Sequence, residues 1–504
     1  YNAKGGTITG GTFKGADTTL TNEADLSGAK IEGTETLTVK NAASIQNATL
    51  TGGAAKVDNH GKGSVMKDVT LTGSAITLTN EGTVENGSYT AGDAMTIKNS
   101  GKLSSGTYTA KGTMGITNEG TIENGSHTAE TGAMTITNRG KLSAGTYTAK
   151  AGTMDITNEG TIENGTYTAR GDLTYTDIAK SSLTDGTLIS EEGKATITAH
   201  GVLQIKKLSA KDSATVEADH DVTLTKAEAG TLVISSDGSV NAGTLTATTG
   251  DAKVKAKTNV TIGTLTAETG GATIEATDGA LDVTTLNAKS LTAKAGTTLS
   301  AKTLDVKEHA KLSSGGDMVL TEAHANTLTA NAGGKLTATT LGVTGAAGLT
   351  SGGAMEVSEA TVGSVMANAG STLQVKKLTS TGEATLTSKD EAKLDDVTAG
   401  TLAAESTAGS VNAGTLTATT GDAKVKAKTD ATIGTLKAEA GGATIEAMDG
   451  ALDVTTLNAK SLTAKAGTTI SAKTMDVKEH EEITSGSDMV LTEAHANTLT
   501  ANAG

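Results

Sequence analysis

The sequence predicts an all-β protein wound into a right-handed parallel β-helix, a solenoid with about 19 residues and three short strands in each coil. Three observations carry this prediction. Segments such as "ITNEGTIENGSHTA" at 116–129 and its near copy "ITNEGTIENGTYTA" at 156–169 belong to repeats of about 19 residues. Their short runs alternate apolar and polar residues, which is the periodicity of a strand. The 504 residues include no proline, which would interrupt a continuous ladder of backbone hydrogen bonds.

Each repeat holds three such runs. In the repeat that begins at Met95 they are "MTIKN", "GKLSS" and "GTYTA", and the small polar residues between them favour turns. A helical alternative fails, because no stretch keeps apolar residues at the i, i+3, i+4 spacing and glycine recurs too often for helices. At about 19 residues a coil, 504 residues make about 26 coils.

A column of asparagines marks one turn of the predicted coil. One asparagine recurs in every repeat of the N-terminal third, each about one coil after the last. Stacked asparagine amides can hydrogen-bond to one another along the axis and to the turn backbone, whereas a buried amide without a partner costs roughly 1–3 kcal/mol. We therefore expect an asparagine ladder. Its predicted members are Asn22, Asn41, Asn59, Asn80, Asn99, Asn118, Asn138 and Asn158.

A second column carries aromatic rings. Its early positions include Ile31, Leu50 and Leu71, which are apolar and favour the interior. We expect a stack of rings that faces inward, with the tyrosine hydroxyls exposed at one corner. His127 is interpreted as a stacking ring of tolerable size, with a ligand role as the alternative. The predicted column of rings is Phe13, Tyr89, Tyr108, His127, Tyr147 and Tyr167.

Changes in the pattern predict three sections of one continuous rod. Residues 1–170 form the β-helical section with the asparagine ladder, and residues 171–193, where the pattern is weakest, form a seam. Residues 194–504 form a section of tandem modules, because Gly238–Gly333 recurs at Gly409–Gly504 with 12 differences in 96 positions. The offset between the two copies corresponds to a module of nine coils. Nearly all of the differences are conservative or expected at the surface.

Composition excludes several partners. The net charge is −15, and almost all basic residues are lysine, with arginine only at Arg139 and Arg170. We therefore expect no nucleic-acid partner, which would require a basic stripe. No apolar run approaches the roughly 18 residues of a membrane-spanning helix, so we expect no membrane span in this chain.

The chain begins at Tyr1 and shows no terminal cap, so we expect either a longer protein or a subunit that stacks on its end.

The repeats resemble those of the filamentous haemagglutinin-type exoproteins, long β-helical bacterial surface proteins of the two-partner secretion and autotransporter classes. The resemblance is carried by units such as "SLTAKAGTTLSAKTLDVKEHAKLSSGG" at Ser290–Gly316, with apolar alternation and a glycine pair at the turn, and it covers essentially the whole chain. It implies export to the bacterial cell surface, an extended fibre, and a role in adhesion, biofilm or surface layers. The N-terminal secretion domain of that family usually carries Asn-Pro motifs, so we expect it to be missing from a chain without proline.

The sequence offers few residues for catalysis or metal binding. Its carboxylates are spread along the chain, and the duplication copies them, since Asp305 and Glu308 recur at Asp476 and Glu479. This indicates a duplicated surface and not a duplicated active site. We expect no enzyme, no catalytic residue, no cofactor and no dedicated metal site. Nonspecific Ca²⁺ bridging between acidic surfaces is the one metal role kept as an alternative.

Three short motifs have a binding alternative. The integrin-type receptor tripeptide occurs at Arg170, Gly171 and Asp172. An Asn-Gly pair followed by Ser or Thr has the form of a glycosylation acceptor, but tight turns also favour Asn-Gly; the pairs begin at Asn86, Asn124 and Asn164. Thr-x-Thr runs have an ice-binding alternative, although threonine is also a good outward-facing strand residue.

Two functional hypotheses follow. In the first, the chain is an extracellular structural protein whose rod builds a bacterial surface fibre, sheath or stalk and assembles with itself, end to end or laterally. In the second, it is the shaft of a large secreted adhesin that attaches to a host-cell receptor or a glycan. A polysaccharide-cleaving enzyme would need one coil with a unique insertion rich in Asp and Lys, and the sequence has none.

Overall fold

The computed structural model describes residues 1–178 and 180–504, and these residues form strands and no helix. Ala179, inside the predicted seam, lies outside the described residues. The strands pair in parallel, and the chain is a parallel β-solenoid of about 26 turns with about 19 residues in each. The predicted fold class is therefore confirmed. The chain divides into two compact units, Tyr1–Lys257 and Thr258–Gly504.

The first unit contains strands β1 to β29. In order, β1 to β9 are Thr7–Thr9, Thr12–Asn22, Asp25–Ser27, Lys30–Asn41, Ser44–Gln46, Thr49–Asn59, Val65–Lys67, Thr70–Asn80 and Thr83–Glu85. Strands β10 to β22 are Ser88–Ala91, Met95–Asn99, Lys102–Ser104, Thr107–Ala110, Met114–Asn118, Thr121–Glu123, Ser126–Ala129, Met134–Asn138, Lys141–Ser143, Thr146–Ala149, Met154–Asn158, Thr161–Glu163 and Thr166–Ala169. Strands β23 to β29 are Leu173–Asp177, Ser182–Ser190, Ala195–Ala199, Val202–Ala218, Val222–Ser236, Val240–Ala247 and Ala252–Ala256.

The second unit contains strands β30 to β47. Strands β30 to β38 are Val260–Ala276, Leu281–Ala295, Leu299–Ser314, Met318–Ala332, Leu336–Ser351, Met355–Ala369, Leu373–Ser380, Glu383–Ser388 and Ala392–Ala399. Strands β39 to β47 are Thr401–Ser406, Val411–Ala418, Ala423–Ala427, Ala431–Ala447, Leu452–Ala466, Ile470–Val477, His480–Ser485, Met489–His495 and Thr498–Ala503.

The register places each residue beside its equivalent one coil away. Tyr89 of β10 pairs with Tyr108 of β13, and Asn99 of β11 pairs with Asn118 of β14. Alternate residues are buried along most strands, as in β11, where Met95 and the two residues at 97 and 99 face inward. A slip of one residue would turn this buried set to the solvent, so the alternation itself fixes the register.

The three predicted runs appear as separate strands between residues 88 and 169. One coil there consists of β11, β12 and β13, joined by short turns. Elsewhere strands continue through a corner of the coil, as β26 does over Val202–Ala218. Within the predicted seam, β23 pairs with β20 on one side and with β25 on the other, so coils stack there as they do elsewhere. The proposed boundaries at 170/171 and 193/194 stay a prediction.

One corner of the first unit repeats a left-handed backbone conformation. A non-glycine residue with φ between 50° and 54° occurs there in successive coils, at Asn47, Asp68, Asn86, Ser105, Asn124, Ala144, Asn164 and Asp185. Asn and Asp tolerate this conformation better than other residues with a Cβ atom. The turn interpretation of the Asn-Gly pairs is therefore confirmed, and it explains the recurring "ENG".

Ala144 is the least suited residue in this corner, and its replacement should stabilise the protein. A left-handed conformation costs an ordinary L-residue about 1–2 kcal/mol, and φ at Ala144 is 50°. We expect Ala144→Asn to raise the free energy of unfolding by about 0.5–1 kcal/mol, measured by urea denaturation. Asn124→Ala, which introduces the same strain one coil away, should lower it by a similar amount. An unchanged midpoint in both variants would contradict the prediction.

Carboxylates bridge successive coils at another recurring corner. In each case one carboxylate oxygen accepts the backbone N–H of a residue one coil later, at 2.7–2.9 Å. In all four pairs the residue immediately before that N–H is a glycine. These pairs are Asp172 with Lys194, Asp221 with Ser239, Asp317 with Lys335, and Asp430 with Ala451. The sequence predicted only turns here, because a side chain that caps an amide one coil away leaves no local signature.

Candidate functional site

The asparagine ladder is the most regular side-chain arrangement in the first unit. Each amide Nδ2 donates to the Oδ1 of the asparagine one coil later, at 2.7–2.8 Å from Asn22 to Asn158. From Asn80 to Asn138 the same nitrogen also lies 3.1–3.2 Å from two backbone oxygens, one on its own turn and one on the next coil. All predicted members are buried. The predicted ladder is therefore present, and every predicted member belongs to it.

Both ends of the ladder extend beyond the predicted set. Asn2 donates to Oδ1 of Asn22 at 2.5 Å and adds one rung at the start. At the other end Asn158 donates to the hydroxyl of Tyr175 at 3.1 Å, and that hydroxyl donates to the buried carboxylate of Asp177 at 3.2 Å. Asp177 pairs with Asn158 in register, and its other oxygen accepts the N–H of His200 at 2.5 Å. Because Asn2 and Asp177 each lie one coil from a predicted member, continuing the column in both directions could have revealed both ends.

The predicted ring column forms a stack over five consecutive coils. Neighbouring ring centroids lie 4.7–4.9 Å apart, and the ring planes differ by 3–8°. These centroid distances match the spacing of hydrogen-bonded strands, so each ring lies over the ring of the coil below. The stacked members are Tyr89, Tyr108, His127, Tyr147 and Tyr167.

Two expectations about this column are wrong. The hydroxyls of the four stacked tyrosines are buried without a hydrogen-bond partner, where we expected them to be exposed at a corner. Each ring instead folds back over the glycine two residues earlier; a Cβ at Gly165 would lie 2.6 Å from the Tyr167 ring. Phe13 pairs with Ile31 in the same column but is 46% exposed, and three aliphatic coils separate it from Tyr89, so it is no part of the stack.

Removing one unpartnered hydroxyl should stabilise the first unit. A buried hydroxyl without a partner costs roughly 1–3 kcal/mol, and burial also raises the pKa of these tyrosines, so the groups stay neutral. We expect Tyr147→Phe to keep the ring stack and to raise the free energy of unfolding by about 1 kcal/mol in denaturant titrations. Tyr175→Phe is the matched control: it removes a hydroxyl that has two partners and should destabilise the protein.

His127 is a buried imidazole between two tyrosine rings. Its ring lies 4.8 Å from that of Tyr108 and 4.7 Å from that of Tyr147, and neither ring nitrogen has a hydrogen-bond partner. Burial lowers the pKa of His127 to about 3, although the nearby backbone of Thr146 offsets this in part. The imidazole is therefore neutral in the folded protein near pH 7. This geometry supports the interpretation of His127 as a stacking ring.

The receptor-type tripeptide lies at the corner between β22 and β23. The guanidinium of Arg170 makes two hydrogen bonds to the carboxylate of Glu192, at 3.0 and 3.1 Å. Asp172 accepts the N–H of Lys194 at 2.9 Å, and Gly171 donates to the carbonyl oxygen of Gly152 at 3.1 Å. Both charged groups of the motif are thus already bound within the protein. Receptor recognition through this tripeptide stays a prediction that would have to break these contacts.

No metal site is built from the described residues. No group of three or more His, Cys, Asp or Glu side chains among them could hold a metal ion. Many carboxylates instead pair with lysine at the corners, as Glu163 does with Lys141 at 2.8 Å. Bridging of separate acidic surfaces by Ca²⁺ stays a prediction.

The second unit carries a shallow groove of about 540 Å³ along one corner. Its polar lining includes Asp305, Lys307, His324, Asn326 and Thr361. Thr344 donates to Oδ1 of Asn326 at 2.9 Å, and Gly342 leaves the space into which the His324 ring turns. The groove supplies one carboxylate, one ammonium group, one amide, one imidazole and several hydroxyls. These groups can hydrogen-bond to a polar ligand, and no motif in the sequence indicated that they would meet.

Comparisons with protein-family models, with curated proteins and with solved structures found no significant match to this chain. Among the described residues, no helix has the length and apolar character required to cross a membrane.

Proposed function

We propose that the chain is a structural segment of an extracellular fibre, sheath or stalk on a bacterial surface, and that its β-helix supplies length and stiffness. The observation that carries the proposal is the coil-on-coil register within each unit. Every coil pairs with the equivalent residues of the next, and the asparagine ladder repeats this order in the side chains. A coil added to such a stack lengthens it without creating new chemistry.

Two further observations support a structural role outside the cell. The repeats resemble those of filamentous haemagglutinin-type exoproteins in their apolar alternation and glycine-containing turns. Their near-exact duplication, with 12 differences in 96 positions, indicates a recent tandem duplication of a unit that tolerates being added. The proposal assigns the chain no catalytic activity and no cofactor, because its carboxylates recur with the repeat and many form ion pairs with lysine.

Electron microscopy of the purified chain tests the proposal directly. Stained or vitrified samples should contain straight filaments or lateral bundles of uniform width, and light scattering should increase with protein concentration. Monomers at every concentration and salt condition would contradict self-assembly.

A second candidate function is the shaft of a secreted adhesin, and the corner groove of the second unit favours it. The carboxylate of Asp305 and the amide of Asn326 line this groove, and such groups commonly hydrogen-bond to sugar hydroxyls. Binding of the purified chain to a glycan array, lost in the double variant Asp305→Ala/Asn326→Ala, would support this candidate. If the chain binds no glycan on the array but forms filaments, the adhesin candidate is contradicted and the structural role is supported.

A further inference from the structure

A buried carboxylate in the second unit has no counterpart in the otherwise matching copy of its repeat. Glu481 lies on β45, is 0% exposed, and neither of its carboxylate oxygens has a hydrogen-bond partner. Its strand neighbours in register are Leu462 on β43 and Leu499 on β47. The equivalent position in the earlier copy is Ala310, which pairs with two leucines in the same way. We call Lys478–Gly504 the acid segment and Lys307–Gly333 the alanine segment.

The two segments match closely apart from this position. They differ at five of 27 positions, and Ala310→Glu is the only one of these differences that places a charged side chain in the core. Their corner ion pairs also match: Lys478 lies 3.6 Å from Glu439, and in the alanine segment Lys307 lies 3.6 Å from Glu268. The alanine segment is thus an internal control for the effect of one carboxyl group.

No charged group compensates the carboxylate. The buried side chains of β43, β44 and β45 around it are apolar apart from Ser485, whose hydroxyl donates to the carbonyl oxygen of Ser487. The only cause that raises the pKa of Glu481 is its burial. The titratable residues on the packed strands are all exposed and point outward: Asp453, Lys460 and Lys465 on β43, Lys473 and Asp476 on β44, His480 and Glu482 on β45, and Glu493 and His495 on β46. β45 pairs with β43 on one side and with β47 on the other.

We propose that the acid segment is a pH-dependent element of the coil, which closes onto β43 and β44 when the Glu481 carboxyl is protonated and opens when it ionises. The carboxyl enters the apolar core as a neutral acid. At neutral pH closure therefore requires the uptake of a proton or the burial of an unpaired charge, and either one disfavours the closed state. The alanine segment has no such requirement and stays closed at the same pH.

The direction of the effect follows from proton linkage. The folded-state pKa of Glu481 is raised above its ordinary value, so the closed state binds more protons than the open state between those two pKa values. Closure is therefore favoured as pH falls through the folded-state pKa, and the gain ends below the ordinary glutamate pKa near 4.3. The equilibrium constant for closure changes by up to about tenfold per pH unit inside this window.

Hydrogen exchange with mass spectrometry tests the proposal on the full chain. The quantity to follow between pH 4.5 and pH 8 is the ratio of amide protection in the alanine segment to that in the acid segment. Their near-identical sequences largely cancel the intrinsic pH dependence of exchange. We expect this ratio to be greater at pH 8 than at pH 4.5 in the wild type, with a slope of at most about tenfold per pH unit. A constant ratio would overturn the proposal, even if the acid segment were less protected at every pH.

Three variants separate the carboxyl from its position in the chain. Glu481→Ala and Glu481→Gln should both remove the pH dependence of the ratio, and persistence of that dependence in either one would overturn the proposal. Ala310→Glu should transfer acid-dependent protection to the alanine segment. If that variant fails to fold, as circular dichroism would reveal, the two Glu481 variants still decide the question.

Discussion

Asn118→Ala should lower the free energy of unfolding of the first unit by about 3 kcal/mol, although it removes only an amide group. Oδ1 of Asn118 accepts from Asn99 at 2.8 Å, and its Nδ2 donates to Asn138 at 2.8 Å and lies 3.1 Å from the carbonyl oxygens of Gly120 and Lys141. The substitution leaves Oδ1 of Asn138 buried without its donor, which costs roughly 1–3 kcal/mol. It also removes the shortest hydrogen bond of Asn99, whose Nδ2 keeps only two backbone oxygens at 3.1 Å. Urea denaturation measures the total loss.

The matched control is Asn124→Gly in the same coil. Asn124 is exposed and has φ of 52°, which glycine adopts freely, so its loss should change stability by a few tenths of a kcal/mol. A double variant, Asn99→Ala with Asn118→Ala, should cost less than the sum of the two single changes, because neighbouring rungs share a hydrogen bond. Additive losses, or a loss below about 1 kcal/mol for Asn118→Ala, would contradict a coupled ladder.

The fold was predictable because one short pattern specifies both the local structure and its partner. Alternating residues in "MTIKN" define a strand, and the near copy at 114–118 defines the strand that pairs with it. The asparagine column was predictable for the same reason, since an amide that recurs once in each coil must meet its own copy. In a helix bundle the packed helices differ in sequence, so the sequence of one helix does not identify the helix that packs against it.

The features that could not be predicted from the sequence depend on how side chains are oriented within and between coils. The alternation placed Tyr147 inside, but nothing in it showed that the ring folds over Gly145 and buries its hydroxyl. The capping of Lys194 by Asp172 joins residues on successive coils, and the separation of such pairs varies between 18 and 22 residues, so no fixed spacing marks it. The burial of Glu481 could not be predicted from the difference between the two copies alone. The register places its side chain between Leu462 and Leu499.

Acidification should destabilise the first unit through His127, and His127→Tyr should remove that part of the effect. The pKa of His127 is lowered to about 3 in the folded protein, against about 6.5 in an unfolded chain, because burial disfavours the charged imidazolium. Between these values the unfolded state binds the extra proton, so stability falls as pH decreases from about 6.5 toward 3 and is unaffected by this group above about pH 7.5. At pH 5 the loss is about 2 kcal/mol, from 1.36 kcal/mol per pH unit.

The experiment compares urea denaturation of the wild type and His127→Tyr at several pH values from 4 to 8. The difference in unfolding free energy between the two proteins should shift by about 2 kcal/mol in favour of the variant between pH 8 and pH 5. All other titrating groups are common to both proteins, and the introduced tyrosine is neutral over this range, so the shift reports His127 alone. His220→Gln, which removes an exposed imidazole of the same unit, is the control for the loss of a histidine as such. If the difference in unfolding free energy between wild type and His127→Tyr stayed constant with pH, the imidazole would be accessible to solvent. That result would contradict the burial of His127 between Tyr108 and Tyr147.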